Sequence, residues 1–571
     1  MYLYIFYRQD ILFLLETIKN LQYKDDDVKK TDFFKTGPVW IFTATLFLLL
    51  AGTIGTEITQ MNVRFALMID EITRRGTGMF AALNGIPYLD YFSGWLLCAW
   101  MTSLCGRAVT LAGMALPAIL LGAYTAVMVY LIGERVRKGV GLGAVMLLFI
   151  SPEFAFLFTG LGIDVPVMAI GVTMLYLMQR RNVSQLQFFG VFFLLLLAGF
   201  VLRGPLGIIL PGAGVCGFLL ASRKWTRFTA AGFTCAIAGI ICLSGCVGLI
   251  LLTGGRELWD WFVQSQFLER VAQKRTGLNI FFDACAAMSP AALLSLGIFL
   301  HSRRRILSRP AIGWIGFLGL PLLLMMFPSR VHTRYLAILF PAWALLGSYV
   351  WSCGRPGRWF QALRRRVERP LDRWYRPLSW LLILVLAAIG VFMTGAANQP
   401  WGHYLAAGLL VAAIPLWTDE TMHPFRPLLA AGIVLAVAFN PFIAADENSR
   451  NFTAAVESVR TGRLWLLELG PDHDDLKYLL HVDPAKRAGV RYVFFEPPCL
   501  SGMYAPMYRV EELEKVLPEI AENDVIVLRR RKFELDNLRS AAEKHHRTLV
   551  PAASGTLGHR ECIAVRLTAA K

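Results

Sequence analysis

A few charged side chains in this sequence stand where an apolar chain would avoid them, and their types suggest phosphate chemistry. Asp164 sits alone in Leu161-Gly162-Ile163-Asp164-Val165-Pro166. A carboxylate in such a run is costly unless it faces a cavity or a partner. It also reads as a helix cap, because Pro166 lies just inside the following helix, and both readings stay open. Arg203-Gly204-Pro205 breaks a second apolar stretch, and Arg330-Val331-His332-Thr333-Arg334-Tyr335 opens a third. Arginine offers planar, bidentate hydrogen bonding to a phosphate or diphosphate. Snorkelling to lipid head groups is the competing explanation for each arginine taken alone. The segment 56–106 adds Glu57, Arg64, Asp70, Glu71, Arg74, Arg75 and Asp90 among apolar residues.

The elements that must position these residues are membrane spans. Of 571 residues 56% are hydrophobic and 17% charged, whereas a soluble domain has about a quarter charged. The net charge of +17 is spread over short loops between apolar runs, a pattern that fits the positive-inside rule and not a nucleic-acid-binding face. Thirteen spans are expected, at 37–55, 109–132, 139–160, 166–178, 188–202, 205–221, 229–253, 287–301, 311–327, 335–352, 378–394, 402–417 and 427–444. Segment 92–106 is too short to cross and is expected to re-enter or lie in the interface. With that choice and a cytoplasmic N-terminus, five basic clusters fall on the cytoplasmic side, the last being 354–377 with eight arginines. Residues 1–36 form a cytoplasmic amphipathic lead-in, and 37–445 the membrane region, with 56–106 as a long first outer loop. In that loop Val63, Phe65, Ala66, Ile69 and Ile72 share one helical face, expected to meet lipid while Arg64 and Glu71 point away. Tyr88, Tyr91, Phe92 and Trp95 would pin the loop at the interface as the lid or floor of a cavity.

An odd number of spans leaves 446–571 outside, and its composition turns polar. Strands at Leu464–Leu469, Tyr492–Glu496, Val525–Arg529 and Cys562–Leu567 alternate with helices at Arg509–Asn523 and Phe533–His546, which predicts a small α/β domain. Most of the ten cysteines lie inside apolar segments and read as small hydrophobes. Cys499 and Cys562 would share an oxidising compartment, where a disulfide between them can form if geometry allows.

In order and spacing these motifs resemble the bacterial relatives of protein O-mannosyltransferases, especially the aminoarabinose transferases that modify lipid A. Met61-Asn62-Val63-Arg64-Phe65-Ala66, then Gly76, Gly85 and Tyr88-Leu89-Asp90-Tyr91-Phe92, follow that family's Asp-Glu-x-Arg-Tyr-Ala, Gly and Tyr-x-Glu-Lys-Pro. Gly162-Ile163-Asp164-Val165-Pro166 is similar to its second acidic site and Arg203-Gly204-Pro205 to its Lys-Gly-Pro. Arg334-Tyr335-Leu336 through Phe340-Pro341-Ala342 is similar to its Arg-Tyr-Leu-x-x-x-x-Pro-Ala run. The resemblance implies a polytopic α-helical GT-C fold in a bacterial inner membrane and a polyprenyl-phosphate sugar donor. It also implies a lipid or glycan acceptor and inversion without a nucleotide sugar. Arg64, Arg203, Arg334, Tyr335 and Arg270 become donor-phosphate contacts, and Asp90 and Asp164 catalytic carboxylates.

The departures also matter. Met61 and Asn62 stand where the family has carboxylates, and the loop around Gln266, Phe267 and Arg270 lacks the Glu-His pair that holds a divalent metal in some relatives. Neither a metal nor any other cofactor is therefore assigned. Glu57, one helical turn before Met61, is the nearest substitute base, and an acceptor that is already an anionic phosphate would need none. The rival readings are a catalytically silent member that binds lipid-linked sugar or scaffolds an envelope assembly, and a transporter, for which no internal repeat is visible.

Overall fold

The computed structural model describes residues 37–353, 447–467, 490–495 and 510–569, with short interruptions. The lead-in, the basic loop 354–377, the spans expected at 378–394, 402–417 and 427–444, and Glu57, Arg270, Arg330 and Cys499 lie outside the described residues.

Helices occur where the apolar runs predicted them: α1 (Gly37–Ala51), α4 (Leu111–Val136), α5 (Val140–Ile150), α6 (Val165–Gln179), α7 (Gln185–Arg203), α8 (Leu206–Ala221), α9 (Trp225–Val263), α12 (Arg309–Met325) and α13 (Phe340–Cys353). Among the described residues, four helical stretches, namely α4, α7, α9 and Thr333–Ser352, are long and apolar enough to cross a membrane. The outer face of α9 is apolar and bare: Phe233 is 71% exposed, Ile240 65% and Leu252 85%, a stripe that suits contact with lipid. Inside the bundle, Gly217 of α8 and Gly316 of α12 meet so closely that a Cβ on either would strike the other's carbonyl oxygen. Small residues allow this backbone approach between membrane helices.

One expected span is interrupted. The run 139–160 stays helical only to Ile150, because Ser151 precedes Pro152 and takes an extended conformation (φ −71°, ψ 115°), as a residue before proline must. The run 287–301 corresponds to α11 (Ala291–Leu300), and α10 (Gly277–Ala287) precedes it. The doubtful segment 92–106 folds as α3, Ser93–Thr102, of 10 residues. That length rises about 15 Å, half of the hydrocarbon thickness.

The first outer loop begins with α2 (Met61–Arg75), followed by the antiparallel pair β1 (Phe80–Leu83) and β2 (Ile86–Phe92). Here the structure corrects the sequence reading. Val63, Phe65, Ala66, Ile69 and Ile72 are buried in protein, and so is Arg64 at 2% exposure.

Beyond the membrane helices, α14 (Glu447–Val459) precedes a six-stranded sheet ordered β5-β4-β3-β6-β8-β7. Strands β3 (Leu464–Leu467), β4 (Val490–Phe494), β5 (Val510–Glu512) and β6 (Val525–Arg529) run parallel, whereas β8 (Arg560–Ala569) pairs antiparallel with both β6 and β7 (Arg547–Leu557). Helix α15 (Lys532–Lys544) falls where expected. The expected helix 509–523 does not form. It is replaced by β5, one helical turn at Leu513–Val516 and a 3-10 turn at Leu517–Glu519, since Pro518 cannot continue a helix past its first turn.

Candidate functional site

The turn that carries Asp164 is fixed from two sides before the helix begins. The Leu161 N–H donates to Asn62 Oδ1 at 3.3 Å, and its carbonyl accepts from Trp95 Nε1 at 2.7 Å. Gly162 adopts φ +56°, with Ala118 and the Leu157 carbonyl oxygen where a Cβ would lie, so the turn requires glycine. Asp164 occupies the N-cap position of α6 but makes no capping hydrogen bond. Its carboxylate points into protein and is 4% exposed.

Arg203 meets it from the last position of α7, where the helix dipole favours a cation. The helix stops there because Gly204 takes φ +74°, with the Phe92 ring filling the space of a side chain. Arg203 Nε donates to Asp164 Oδ1 at 2.6 Å, and both side chains are 5% exposed. Arg334, in the 3-10 segment Thr333–Leu339, brings its Nε to 3.5 Å from Asp164 Oδ2, and its Nη2 donates to the Tyr91 hydroxyl at 3.2 Å. The Tyr335 ring lies 5.4 Å from the Arg203 guanidinium and 5.6 Å from that of Arg334. The Tyr91 ring lies 5.6 Å from Arg203. One carboxylate and two phenol rings thus hold two guanidinium groups side by side.

The third arginine joins through a stack of tyrosines. Arg64 Nη1 donates to the Tyr88 hydroxyl at 2.7 Å, and Tyr88 stacks on Tyr91 with centroids 5.4 Å apart. Burial pushes the Tyr91 phenol up to about 12, against the pull of Arg334, so it remains a neutral hydroxyl. Tyr88 and Tyr91, expected to pin the loop at the interface, are instead buried partners of the arginines. Tyr91, Phe92, Trp95, Phe65, Leu161 and Arg203 line a narrow, mostly apolar crevice beside the cluster.

The structure therefore brings together Asp164, Arg203, Arg334, Tyr335 and Arg64, with Asp90 close enough to Tyr91 to act on it electrostatically. One carboxylate that sequence reasoning passed over also stands near. Glu153 Oε1 accepts from Thr333 Oγ1 at 3.0 Å, one residue from Arg334. Its signal was its position: an acid inside the run taken as the span 139–160. Among the described residues no three His, Cys, Asp or Glu side chains converge on a metal-sized space. The arrangement offers guanidinium donors beside an apolar groove, which suits an anionic group attached to a hydrocarbon chain.

No family model and no curated protein matches the chain. Solved structures do. ArnT from Cupriavidus metallidurans bound to undecaprenyl phosphate aligns with a TM-score of 0.64 at 13% identity, over 92% of this chain and 97% of that one. Its apo form aligns with a TM-score of 0.61 at 13% identity, over 92% and 98%. The fold is therefore that of the ArnT structures, shared here across almost the full length of both chains.

Proposed function

We propose that this protein is a glycosyltransferase that moves a sugar from a polyprenyl-phosphate carrier to a lipid, glycan or protein acceptor. The observation that carries the reading is the placement of Arg64, Arg203 and Arg334 around Tyr88, Tyr91 and Tyr335, beside an apolar crevice. The undecaprenyl phosphate bound by the ArnT structure of the same fold supports a donor of that class.

In this reading the acceptor oxygen attacks the anomeric carbon. The bond from that carbon to the phosphate oxygen breaks, the configuration inverts, and polyprenyl phosphate leaves with its electron pair. The arginines stabilise charge on the departing phosphate. Both oxygens of Asp164 face guanidinium groups, so its part is to hold Arg203 and Arg334 in place. The proton of a hydroxyl acceptor passes to another carboxylate, for which Glu57, Asp90 and Glu153 are the candidates. Of these, Glu153 has a described anchor beside Arg334. The reaction and 446–571 are assigned to the outer face of a bacterial inner membrane, with the basic loops inside. A metal has no assigned ligands.

One observation favours the silent-member alternative. Asn62, standing where relatives carry an acid, uses its amide oxygen to hold the Leu161 N–H, a structural task. Incubating the purified protein with radiolabelled polyprenyl-phosphate sugars and membrane extract decides between them. Label transfer that Arg203→Gln abolishes supports the enzyme; binding of the donor without transfer to any acceptor supports the silent member.

A further inference from the structure

The end of the bundle opposite Asp164 carries a second basic crevice. Asp164 precedes α6 and Arg203 ends α7, so Arg180 after α6 and Gln185 at the start of α7 lie at the far ends of the same helices. The separation is about 22 Å, the rise of fifteen helical residues, which places the crevice toward the other leaflet. It is lined by Arg180, Gln185, Phe188, Phe189 and Arg227 together with Leu177 and Val183.

Its charge is not balanced by a carboxylate among the described residues. Arg180 rests 5.8 Å from the Tyr176 ring centroid, while Arg135 donates to the Tyr176 hydroxyl at 2.8 Å and lies over the same ring at 4.3 Å. Neither Arg180 nor Arg227 has a carboxylate partner among the described residues. The nearest acid in sequence to Arg135, Glu134, is engaged elsewhere. It accepts from the backbone N–H groups of Gly139, Gly141 and Leu142 at 3.0, 3.1 and 3.3 Å. Half-buried guanidiniums of like charge repel each other unless an anion sits between them.

The walls say which anion. The buried Phe188 stands edge to face with the half-buried Phe189, with centroids 5.1 Å apart, and a free inorganic anion would leave the outer side of Phe189 uncovered. Arg227 lies in the first turn of α9, and the apolar face of that helix, from Phe233 onward, is bare. An occupant therefore enters from lipid, carrying a phosphate and a hydrocarbon chain.

We propose that this crevice binds the head group of an anionic glycerophospholipid in the leaflet opposite the candidate site. Arg180 and Arg227 grip the phosphate, Gln185 donates to it, and Phe189, backed by Phe188, lies along the acyl chain. The site is separate from the sugar-transfer reading and stands or falls without it.

The test is native mass spectrometry of the full-length protein titrated with phosphatidylglycerol, with phosphatidylcholine and inorganic phosphate as separate arms. The wild type should retain phosphatidylglycerol, and Arg180→Gln/Arg227→Gln should bind it about tenfold or more weakly, as expected for lost charge-assisted hydrogen bonds. If the glutamine pair does not fold, Arg180→Lys/Arg227→Lys, which keeps charge and loses the planar fork, should show a smaller loss. Equal retention by wild type and variant overturns the proposal, and so does equal uptake of phosphatidylcholine. Displacement of the lipid by millimolar inorganic phosphate would also overturn it, in favour of a free-phosphate site.

Discussion

Asp164→Asn is the most informative perturbation, because beside Arg203→Met its effects on stability and on phosphate binding should diverge. The substitution keeps size and removes the charge that neutralises Arg203, whose side chain is 5% exposed, and part of Arg334, at 22%. Breaking a buried ion pair by removing one partner costs about 3–5 kcal/mol. Arg203 keeps its contacts with the Tyr91 and Tyr335 rings, each worth about 0.5–2 kcal/mol, so the lower end, about 3 kcal/mol, is expected. Arg203→Met leaves Asp164 with Arg334 alone, at 3.5 Å, and should cost a similar amount. The double variant replaces the pair with neutral groups, so it should be no less stable than either single one. That gives a coupling energy of about 3 kcal/mol by a double-mutant cycle. Reversible unfolding in mixed micelles measures the cycle. Binding of an undecaprenyl-phosphate analogue separates the roles: Asp164→Asn, which leaves both guanidinium groups present but unheld, should lose part of the affinity and part of the turnover, whereas Arg203→Met should lose most of both. Additive single-variant energies, or an Asp164→Asn protein as stable as the wild type, would refute the reasoning.

Four other outcomes follow from the same geometry. Alanine at Arg64, Arg203 or Arg334 should weaken donor binding by about 1.5–3 kcal/mol each, measured by calorimetry on folded variants. Tyr91→Phe removes the Arg334 hydrogen bond at 3.2 Å and should also remove a tyrosinate absorbance step. Because burial raises this phenol to about 12, above about 10 in the unfolded chain, its contribution to stability is intact below about pH 10 and is lost between about pH 10 and 12. Glu153→Gln should lower turnover with donor affinity unchanged, and Glu57→Gln compared beside it in the same assay identifies the base, since the variant that keeps full turnover is not it. Cysteine labelling of intact cells should reach a site near Gln399 and sites in 446–571 but not 354–377; labelling of that loop would reverse the topology.

Much of the membrane architecture was legible, because lipid exposure and apolar length are written in the same residues. Helices α4, α7 and α8 begin and end within a few residues of their apolar runs. Errors came where local and tertiary signals disagree. Arg64 was placed away from the buried face because charge normally points outward, yet the Tyr88 hydroxyl, 24 positions along the chain, satisfies it inside. Strand β7 was not foreseen: its Pro551, alanines and Gly555 are poor strand formers, and pairing with β8, with an irregularity at Pro551, determines it. The three arginines could be singled out by type, but not the tyrosines that join them, since an aromatic in an outer loop looks the same whether it faces lipid or supports a guanidinium.

The position of Asn62 bears most on which reaction remains possible. Its amide oxygen receives the Leu161 N–H, so it helps to fix the turn that aims Asp164 at Arg203 and Arg334. An aspartate there could accept the same hydrogen bond but would add a second negative charge near the cluster proposed to bind phosphate. With Asn62 the cluster keeps its excess of guanidinium charge. Donor phosphate binding is then favoured, while proton removal from an acceptor hydroxyl must come from elsewhere. Asn62→Asp tests this trade. If the site lacks only a base, the variant should gain turnover on hydroxyl acceptors as pH rises, with weaker donor binding. If the acceptor is an anionic phosphate, the added charge should lower turnover at every pH, and a gain with hydroxyl acceptors would exclude that class of acceptor.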